Sequence, residues 1–290
     1  MNNYVILTDS SADLTQELYQ EYDIVCMPLT FLLDGKSYQN LPDESSMRFP
    51  DFYAQLRSGK HVTTSAINVE TFRRSALPFL ESGKDILYLG FSSGLSGTFN
   101  ACCIAANELV EEFPERKIVC VDTLCASMGQ GLLVYLTAKK RLEGASFEEA
   151  VAFAESNKLN LVHWFTVDDL FFLKRGGRIS AATALVGSAL GIKPVLHVDN
   201  EGHLINVSKA RGRKRAILEL LARMKETATD PSEQVIFISH GDCAEDAEFL
   251  AQNIRNELGV KEVIINYVGP VIGAHSGPGT LALFFLGTQR

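Results

Sequence analysis

Strand-like and helix-like segments alternate from the start of the chain, and this alternation constrains the fold more than any other feature of the sequence. The apolar segments 4–9, 85–91 and 117–123 are predicted strands. A segment with helical periodicity follows each of them, and the first, 10–22, is predicted to begin with Ser10 as its cap. Such alternation is typical of a parallel sheet with helices on both faces.

Three polar segments follow these strands. They are DSS at 9–11, SSGLSGT at 92–98 and DTLCAS at 122–127. Ligands of parallel α/β sheets bind beyond the carboxyl ends of the strands. We therefore expect a ligand site where these three segments meet.

The second half of the chain has a different pattern. Segments 193–198 and 203–210 flank a DNEG turn and predict a β-hairpin, which a basic helix follows. Segments 234–241 and 262–269 are predicted strands on either side of a helix. The chain is therefore predicted to form two α/β domains. Residues 1–158 would form an N-terminal domain with a parallel sheet, and residues 159–290 a C-terminal domain with a mixed, partly antiparallel sheet.

Composition excludes several classes of protein. With 46% hydrophobic and 21% charged residues the chain is typical of globular proteins, and a net charge of −8 argues against a nucleic-acid partner. The start lacks the pattern of a signal peptide, and the apolar runs 24–33 and 280–287 are too short to span a bilayer. Six cysteines without a CxxC pair indicate a reducing compartment, so we expect a cytoplasmic protein. The histidines form no metal-binding pattern, and no metal site is expected.

The segment 92–98 allows three interpretations. A nucleophile elbow needs G-x-S-x-G, but the second glycine here, Gly97, comes one place early after Ser96. An anion cradle would use backbone amides and hydroxyls at a helix start, and the missing lysine excludes a P-loop. A plain Gly/Ser turn with a helix cap is the third interpretation.

Two further loops carry hydroxyl groups or histidine. Thr63, Thr64 and Ser65 precede a helix that Asn68 is predicted to cap. The segment GAHSGPGT at 273–280 is predicted as a constrained loop. It presents His275 and Ser276, and His275 is suited to hydrogen bonding or proton transfer.

Basic residues cluster in two places. The turn LKRGGRIS at 173–180 contains Arg178, which could lie beside an acidic ligand or partner. The start of the basic helix contains Arg211, Arg213 and Lys214, which form either a solvated face or a docking patch for an acidic partner.

These segments together resemble the DegV family of fatty-acid-binding proteins, which includes the binding subunits of bacterial fatty acid kinases. The resemblance extends over nearly the whole length. It is carried by ILTDSSADL, TTSAI, FSSGLSGTF, VDTLCASMGQG, FTVDDLFFLKRGGRISAATALVGSALGIKPVL, KARGRKRA, ISHGD and GAHSGPG. It implies two α/β domains that hold one long-chain fatty acid in a tunnel, and no other cofactor.

The resemblance also implies roles for individual residues. Hydroxyl groups and amides of Thr64, Ser65, Ser96 and Gly97 would bind the carboxylate, and His275 would lie close to it. Ser276, next to that histidine, would also bind the carboxylate, and Arg178 occupies the arginine position of the GGRI turn. The family's Thr-Ser loop usually continues Gln-Pro, whereas residues 66–67 are Ala-Ile here, and Phe99 stands where Tyr is common.

The implied activity needs a second protein. A separate ATP-binding kinase subunit would phosphorylate the bound carboxylate, and the acyl phosphate would feed phospholipid synthesis, so no catalytic residue is expected in this chain. We expect no stable membrane insertion, with transient membrane contact left open. No segment of the sequence marks the tunnel wall. Six apolar residues are candidates for it, although core packing is the more common use of such residues: Phe31, Phe165, Phe171, Phe172, Leu190 and Phe284.

Two other functions stay open from the residues alone. The first is a Ser-dependent esterase that uses Ser96 with His275 or His240. The second is a lipid-bound interaction or regulatory module whose basic helix docks a partner.

Overall fold

The computed structural model of the protein describes residues 3–180 and 191–290. Leu190, one of the candidates for the tunnel wall, lies outside these ranges. In chain order the strands are β1 Tyr4–Asp9, β2 Ile24–Met27, β3 Thr30–Leu33, β4 Lys36–Gln39, β5 Val62–Ser65, β6 Asp85–Gly90, β7 Ile118–Asp122, β8 Leu161–Thr166, β9 Ile192–Val198, β10 Leu204–Arg211, β11 Val235–His240, β12 Glu262–Tyr267 and β13 Leu281–Leu286.

Helices alternate with these strands. In the described ranges they are α1 Gln16–Glu21, α2 Phe49–Arg57, α3 Val69–Glu81, α4 Thr98–Glu112, α5 Met128–Leu142, α6 Phe147–Asn157, α7 Phe171–Arg175, α8 Arg213–Thr227, α9 Ala244–Leu258 and α10 Pro270–Ser276.

Two large sheets form the framework. Strands β2, β1, β6 and β7 lie in this order in an all-parallel sheet. Strands β10, β9, β8, β13, β11 and β12 form a mixed sheet in which only the β11–β12 pair is parallel. These sheets confirm the predicted fold class, a parallel sheet in the first half and a partly antiparallel sheet in the second.

Helix α5 joins the two sheets because it is apolar on most of its surface. Its buried side chains pack against strands of both sheets, and Leu132, Leu133 and Val134 belong to a core that also contains Leu89 of β6 and Phe237 of β11. A helix that is hydrophobic all round must be buried on all sides. One continuous core therefore extends across both halves of the chain.

Local signals explain several boundaries. The Asn68 side chain accepts a hydrogen bond from the Thr71 amide (2.9 Å) and so caps α3, as predicted. Asp34 and Gly35, with φ of 51° and 75°, form the tight turn between antiparallel β3 and β4 that the Asp-Gly pair indicates. The predicted β9–β10 hairpin and the basic helix α8 are also confirmed.

The helix expected to begin at Ser10 begins later. Residues Ser10–Ala12 form a single 3-10 turn, and its cap is the Asp9 side chain. Asp13 then adopts a left-handed conformation (φ 50°) that a continuing helix does not allow, and α1 begins at Gln16 with Thr15 as its cap. The expectation for this segment was therefore wrong.

Residues 273–280 are only in part the loop that was expected. Helix α10 extends to Ser276, so His275 lies in its last turn. Pro270 occupies the first helical position, which suits proline, and Gly277 ends the helix with a φ of 80°. A third sheet, ordered β4-β3-β5, was not predicted. It carries Thr64 and Ser65 on β5 and supports α10 from one side.

Membrane-spanning segments were searched in residues 3–180 and 191–290. None of the helices there is long and apolar enough to cross a bilayer.

The position of α10 depends on a close approach at Gly273. A Cβ atom there would lie 2.6 Å from the hydroxyl oxygen of Tyr53, which donates a hydrogen bond to the Val268 carbonyl (2.6 Å). We expect Gly273→Ala to lower the free energy of unfolding by about 1–3 kcal/mol, because α10 or Tyr53 must move.

Urea denaturation measures this effect. Gly97→Ala is the matched control, since a Cβ there meets nothing within 4 Å, and its free energy of unfolding should change by less than about 0.5 kcal/mol. Equal midpoints for the two variants would contradict the described packing of α10.

Candidate functional site

A cavity of about 180 Å³ lies between the loops of the first half and the mixed sheet. Its walls are mostly apolar. One wall is a face of α10 and the turn before it, where Val268, Val271, Ile272 and His275 recur at helical spacing. The carboxyl end of β1 contributes Ser11 to the lining, in agreement with the rule that ligands bind there.

Four segments converge at one end of this cavity: strand β5, the Ser96 loop, the last turn of α10 and the GGRI turn. His275 Nε2 and Thr64 Oγ1 are hydrogen bonded at 2.8 Å. The Ile67 amide donates to Thr98 Oγ1 (3.2 Å), which ties the Thr64 loop to the Ser96 loop. Arg178 Nε donates to the Leu95 carbonyl (3.2 Å) and so brings in the GGRI turn.

The Ser96 loop forms the start of α4. Ser96 Oγ accepts from the Thr98 amide (3.2 Å) and donates to Thr98 Oγ1 (3.0 Å), so its hydroxyl is held in place by its own helix. Gly97 lines the cavity, and a Cβ atom at this residue would meet no other atom within 4 Å. Hydroxyls and amides at a helix start are suited to an anion.

His275 is neutral over the ordinary pH range. Burial lowers its pKa to about 4, and the positive charges of Arg178 and Arg175 act in the same direction. Gly176 allows this packing, because a Cβ there would lie 2.3 Å from His275 Nδ1. The site therefore presents an uncharged imidazole and one half-buried guanidinium, that of Arg178.

The remaining residues expected in the site divide into two groups. Ser65 and Ser276 line the cavity, and Ser276 Oγ is buried without a hydrogen-bond partner among the described residues. The basic-helix residues are not among those that line the cavity. Arg213 pairs with Asp246 (2.8 Å) and contacts Asp168 (3.7 Å), whereas Arg211 and Lys214 are exposed.

The expected tunnel wall is only partly found. Phe165 and Phe284 line the cavity. Phe31 instead packs in a separate core beside Phe52, with which it makes an edge-on contact. Phe171 is 60% exposed, and neither it nor the partly buried Phe172 lines the cavity.

A buried polar group at the same cavity was not assigned from sequence. Ser127 and Ser239 line the cavity, and their hydroxyls are 2.9 Å apart. Ser127 Oγ also donates to Asp13 Oδ2 (2.6 Å). The sequence does mark Ser11 and Ser127, because they belong to the polar segments 9–11 and 122–127 that follow predicted strands. Ser239 lies inside an apolar strand, where no local signal marks it.

Burial raises the pKa of the Asp13 carboxyl to about 8, although the Ser127 hydroxyl and the Gly269 backbone favour its charged form. Asp13 is therefore mostly protonated at neutral pH. The charge of Asp9, close by, adds to the effect. This keeps a negative charge away from the neighbouring hydroxyls of the cavity.

The geometry gives no support to an esterase. The His275 ring is bonded to Thr64, and His240 Nδ1 accepts from the Cys243 amide at 3.3 Å. Ser96 is bonded to Thr98 instead. The described ranges contain no group of three or more His, Cys, Asp or Glu that could hold a metal ion.

Fold and site together define an α/β protein with an apolar cavity and a cluster of uncharged hydrogen-bonding groups at one end. Comparison with known proteins identifies one family. The profile of the DegV family, described as uncharacterised proteins, matches residues 3–288. The chain belongs to the DegV family.

One curated relative and two solved structures illustrate the match. A DegV domain-containing protein of Clostridium perfringens is 46% identical, over 100% of this chain and 99% of its own length. The structure of a fatty-acid-binding DegV family protein from Thermus thermophilus is similar with a TM-score of 0.87 and 32% identity, over 98% of this chain and 99% of that one. The Streptococcus pneumoniae fatty acid kinase B3 protein, loaded with linoleic acid, has the same fold (TM-score 0.85, 20% identity, 99% of each chain).

The raised pKa of Asp13 predicts a pH-dependent stability. Its ordinary pKa is 3.8, so between about pH 4 and pH 8 the folded protein keeps a proton that the unfolded chain releases. Stability contributed by this residue therefore falls as pH rises through that window. In Asp13→Asn the side chain stays neutral, and the variant should gain about 1 kcal/mol or more relative to wild type between pH 5 and pH 8.

Urea unfolding at several pH values measures this difference. Asn tolerates the left-handed conformation of Asp13, and the control Asp230→Asn changes an exposed aspartate with a similar φ of 43°. A stability difference between Asp13→Asn and wild type that does not change with pH would contradict a protonated Asp13.

Proposed function

We propose that this protein binds one long-chain fatty acid, with its carboxylate at the Thr64–His275 end of the cavity. The observation that carries the proposal is the convergence there of uncharged donors next to apolar walls. Thr64, Ser65, Ser96 and the Gly97 amide would bind the carboxylate, with His275 and Ser276 beside them.

The energetics suit such a ligand. A buried carboxylate without partners is very costly, so several donors must replace its water. Each buried methylene contributes about 0.8 kcal/mol, so the apolar walls would supply most of the affinity. The Arg178 guanidinium near the same loops would balance the ligand's charge.

The family relationship supports the proposal. A relative with 32% identity over nearly the whole chain binds fatty acid, and its fold is the same as that of this chain. The ligand would be the only bound small molecule, with no cofactor and no nucleic acid. We place the protein in the cytoplasm, where membrane contact would be transient.

The fatty acid would then be a substrate for a second protein. A separate ATP-binding kinase subunit would transfer the terminal phosphoryl group of ATP to a carboxylate oxygen, giving acyl phosphate for phospholipid synthesis and ADP. The chain itself supplies no catalytic residue. Its part is to hold the carboxylate in position, and the exposed Arg211 and Lys214 would contact the acidic surface of the partner. Arg213 would not contact the partner, because it pairs with Asp246 of this chain and so supports the basic surface from below.

A pair of adjacent threonines tests the carboxylate site. Thr64 lines the cavity, whereas Thr63 is exposed on the same strand. Thr64→Val should weaken oleate binding to delipidated protein about tenfold, because one donor to a buried charge is lost. Thr63→Val should leave affinity unchanged. Isothermal titration calorimetry measures both.

Oleyl alcohol gives the internal control for this experiment. The alcohol carries the same chain without the charge, so Thr64→Val should change its affinity less than that of oleate. A wild-type protein that binds neither oleate nor palmitate would overturn the proposed function. Equal effects of the two threonine variants would overturn the role of Thr64.

The kinase step has its own prediction. With oleate and ATP alone, the protein should form no acyl phosphate. Adding a purified ATP-binding fatty acid kinase subunit of the same organism should start the reaction, as measured by trapping acyl phosphate with hydroxylamine. Arg211→Glu combined with Lys214→Glu should lower the rate about tenfold or more without changing oleate affinity.

The control for charge reversal is Lys139→Glu, an exposed position at the end of α5. Its rate should equal that of wild type. Acyl phosphate formation without the second protein, or the same rate in all three proteins, would contradict the proposed division of labour.

A further inference from the structure

Two cysteines lie close together where α4 packs on the parallel sheet. Cys103 belongs to α4 and Cys120 to β7, the strand at one edge of that sheet. Both are free thiols and partly exposed, and neither lines the cavity. An accessible thiol with a second thiol beside it is typical of cysteines that undergo reversible oxidation.

The register of the sheet explains why these two thiols meet. In the parallel β6–β7 pair Cys120 is the partner of Tyr88, so both side chains point to the same face. Helix α4 covers this face, where Cys102 and Tyr88 belong to one core and Cys120 packs against it. Successive residues of a helix point about 100° apart, so Cys103 turns away from that core toward the edge strand. The thiols of Cys103 and Cys120 lie within hydrogen-bonding reach of each other.

This contact shifts the pKa values of the two thiols in opposite directions. The hydrogen bond with Cys120 lowers the pKa of Cys103, although burial and the charge of Asp122 oppose the change. The same contact, together with burial, raises the pKa of Cys120, which keeps its proton. The thiolate is the form of cysteine that attacks an oxidant, so Cys103 is the nucleophile of the pair.

The other cysteines lack this combination. Burial raises the pKa of the thiols of Cys26, Cys102 and Cys243 to about 12 and that of Cys125 to about 11. Cys102, which precedes Cys103 in the chain, is also fully buried. Among the six cysteines, all of them within the described residues, only Cys103 combines partial exposure with a lowered pKa.

We propose that Cys103 and Cys120 form a reversible disulfide when the protein meets a peroxide. With hydrogen peroxide, the Cys103 thiolate attacks one oxygen and the O–O bond breaks, which leaves a sulfenic acid on Cys103. The other oxygen departs as hydroxide and takes up the proton that the thiol released. The Cys120 sulfur then attacks the Cys103 sulfur, the S–O bond breaks, and a second water leaves. Two thiols are oxidised and one peroxide is reduced to two waters, and a dithiol reverses the change by thiol–disulfide exchange.

The disulfide would join two elements that lead to the cavity. Cys103 lies five residues along α4 from Thr98, about 7.5 Å at the rise of a helix. Strand β7 continues into the segment 122–127, which contributes Ser127 to the lining. In the cytoplasm, where we place this protein, disulfides are usually transient and redox-sensing. The inference does not depend on fatty-acid binding.

Mass spectrometry of the wild-type protein tests the proposal. Folded, fully reduced protein is treated with hydrogen peroxide. Its intact mass should fall by about 2 Da, the loss of two hydrogens, and dithiothreitol should restore it. After the remaining thiols are blocked, a tryptic digest should contain one linked pair of peptides. One of them carries Cys102 and Cys103, and the other carries Cys120 and Cys125.

Variants identify the two sulfurs within these peptides. Cys103→Ser should lose no mass. Cys120→Ser should stop at the sulfenic acid of Cys103, which adds about 16 Da and reacts with dimedone. Cys102→Ala is the matched control and should form the disulfide as wild type does. A linked pair that persists in Cys103→Ser, or that is lost in Cys102→Ala while the variant stays folded, would overturn the proposal.

A further readout needs neither peroxide nor a variant. Iodoacetamide should alkylate Cys103 of the folded wild-type protein at least about tenfold faster than Cys26, another partly exposed cysteine, because more of Cys103 is thiolate. Equal alkylation rates would contradict the role of Cys103 as the nucleophile. Wild-type protein that gains oxygen under peroxide and forms no linked peptides would overturn the disulfide.

Discussion

The cost of removing a carboxylate from water is the constraint on which this account depends. A cavity with apolar walls holds an acyl chain well but excludes the water that a carboxylate needs. Four segments from distant parts of the sequence meet at one end of the cavity, where the proposed site would supply the donors that replace this water. The Thr64–His275 contact and the Ile67–Thr98 contact hold these segments together.

Charge around the cavity is controlled by burial. The pKa of His275 is lowered and that of Asp13 is raised, so both groups are neutral near pH 7. Arg178 is the cation that lines the cavity among the described residues. Under the proposed function, these neutral groups would bind the carboxylate by hydrogen bonds, with Arg178 as the cation beside it.

Much of the fold could be predicted because its signals are local. The three strands at 4–9, 85–91 and 117–123, the Asp34–Gly35 turn and the Asn68 cap are each encoded within a few neighbouring residues. The Thr64, Ser96 and His275 loops could be identified for the same reason, since each is a contiguous motif, and the structure brings them to one cavity.

Features that depend on tertiary contacts could not be predicted. In the third sheet β5 pairs with β3 of the earlier β3–β4 hairpin, from which a helix separates it in the sequence, and the late start of α1 depends on the left-handed Asp13. Ser239 and His163 lie within apolar strands, and only the packing of α5 against the mixed sheet determines that both line the cavity. For the same reason Arg213 could not be distinguished from its exposed neighbours until its pairing with Asp246 was known.

Native mass spectrometry of the protein purified from cells tests the central claim most directly. The account predicts an added mass equal to one long-chain fatty acid, released on denaturation and identified after extraction. A protein that carries no lipid, and that also gains no mass when mixed with oleate or palmitate, would contradict it.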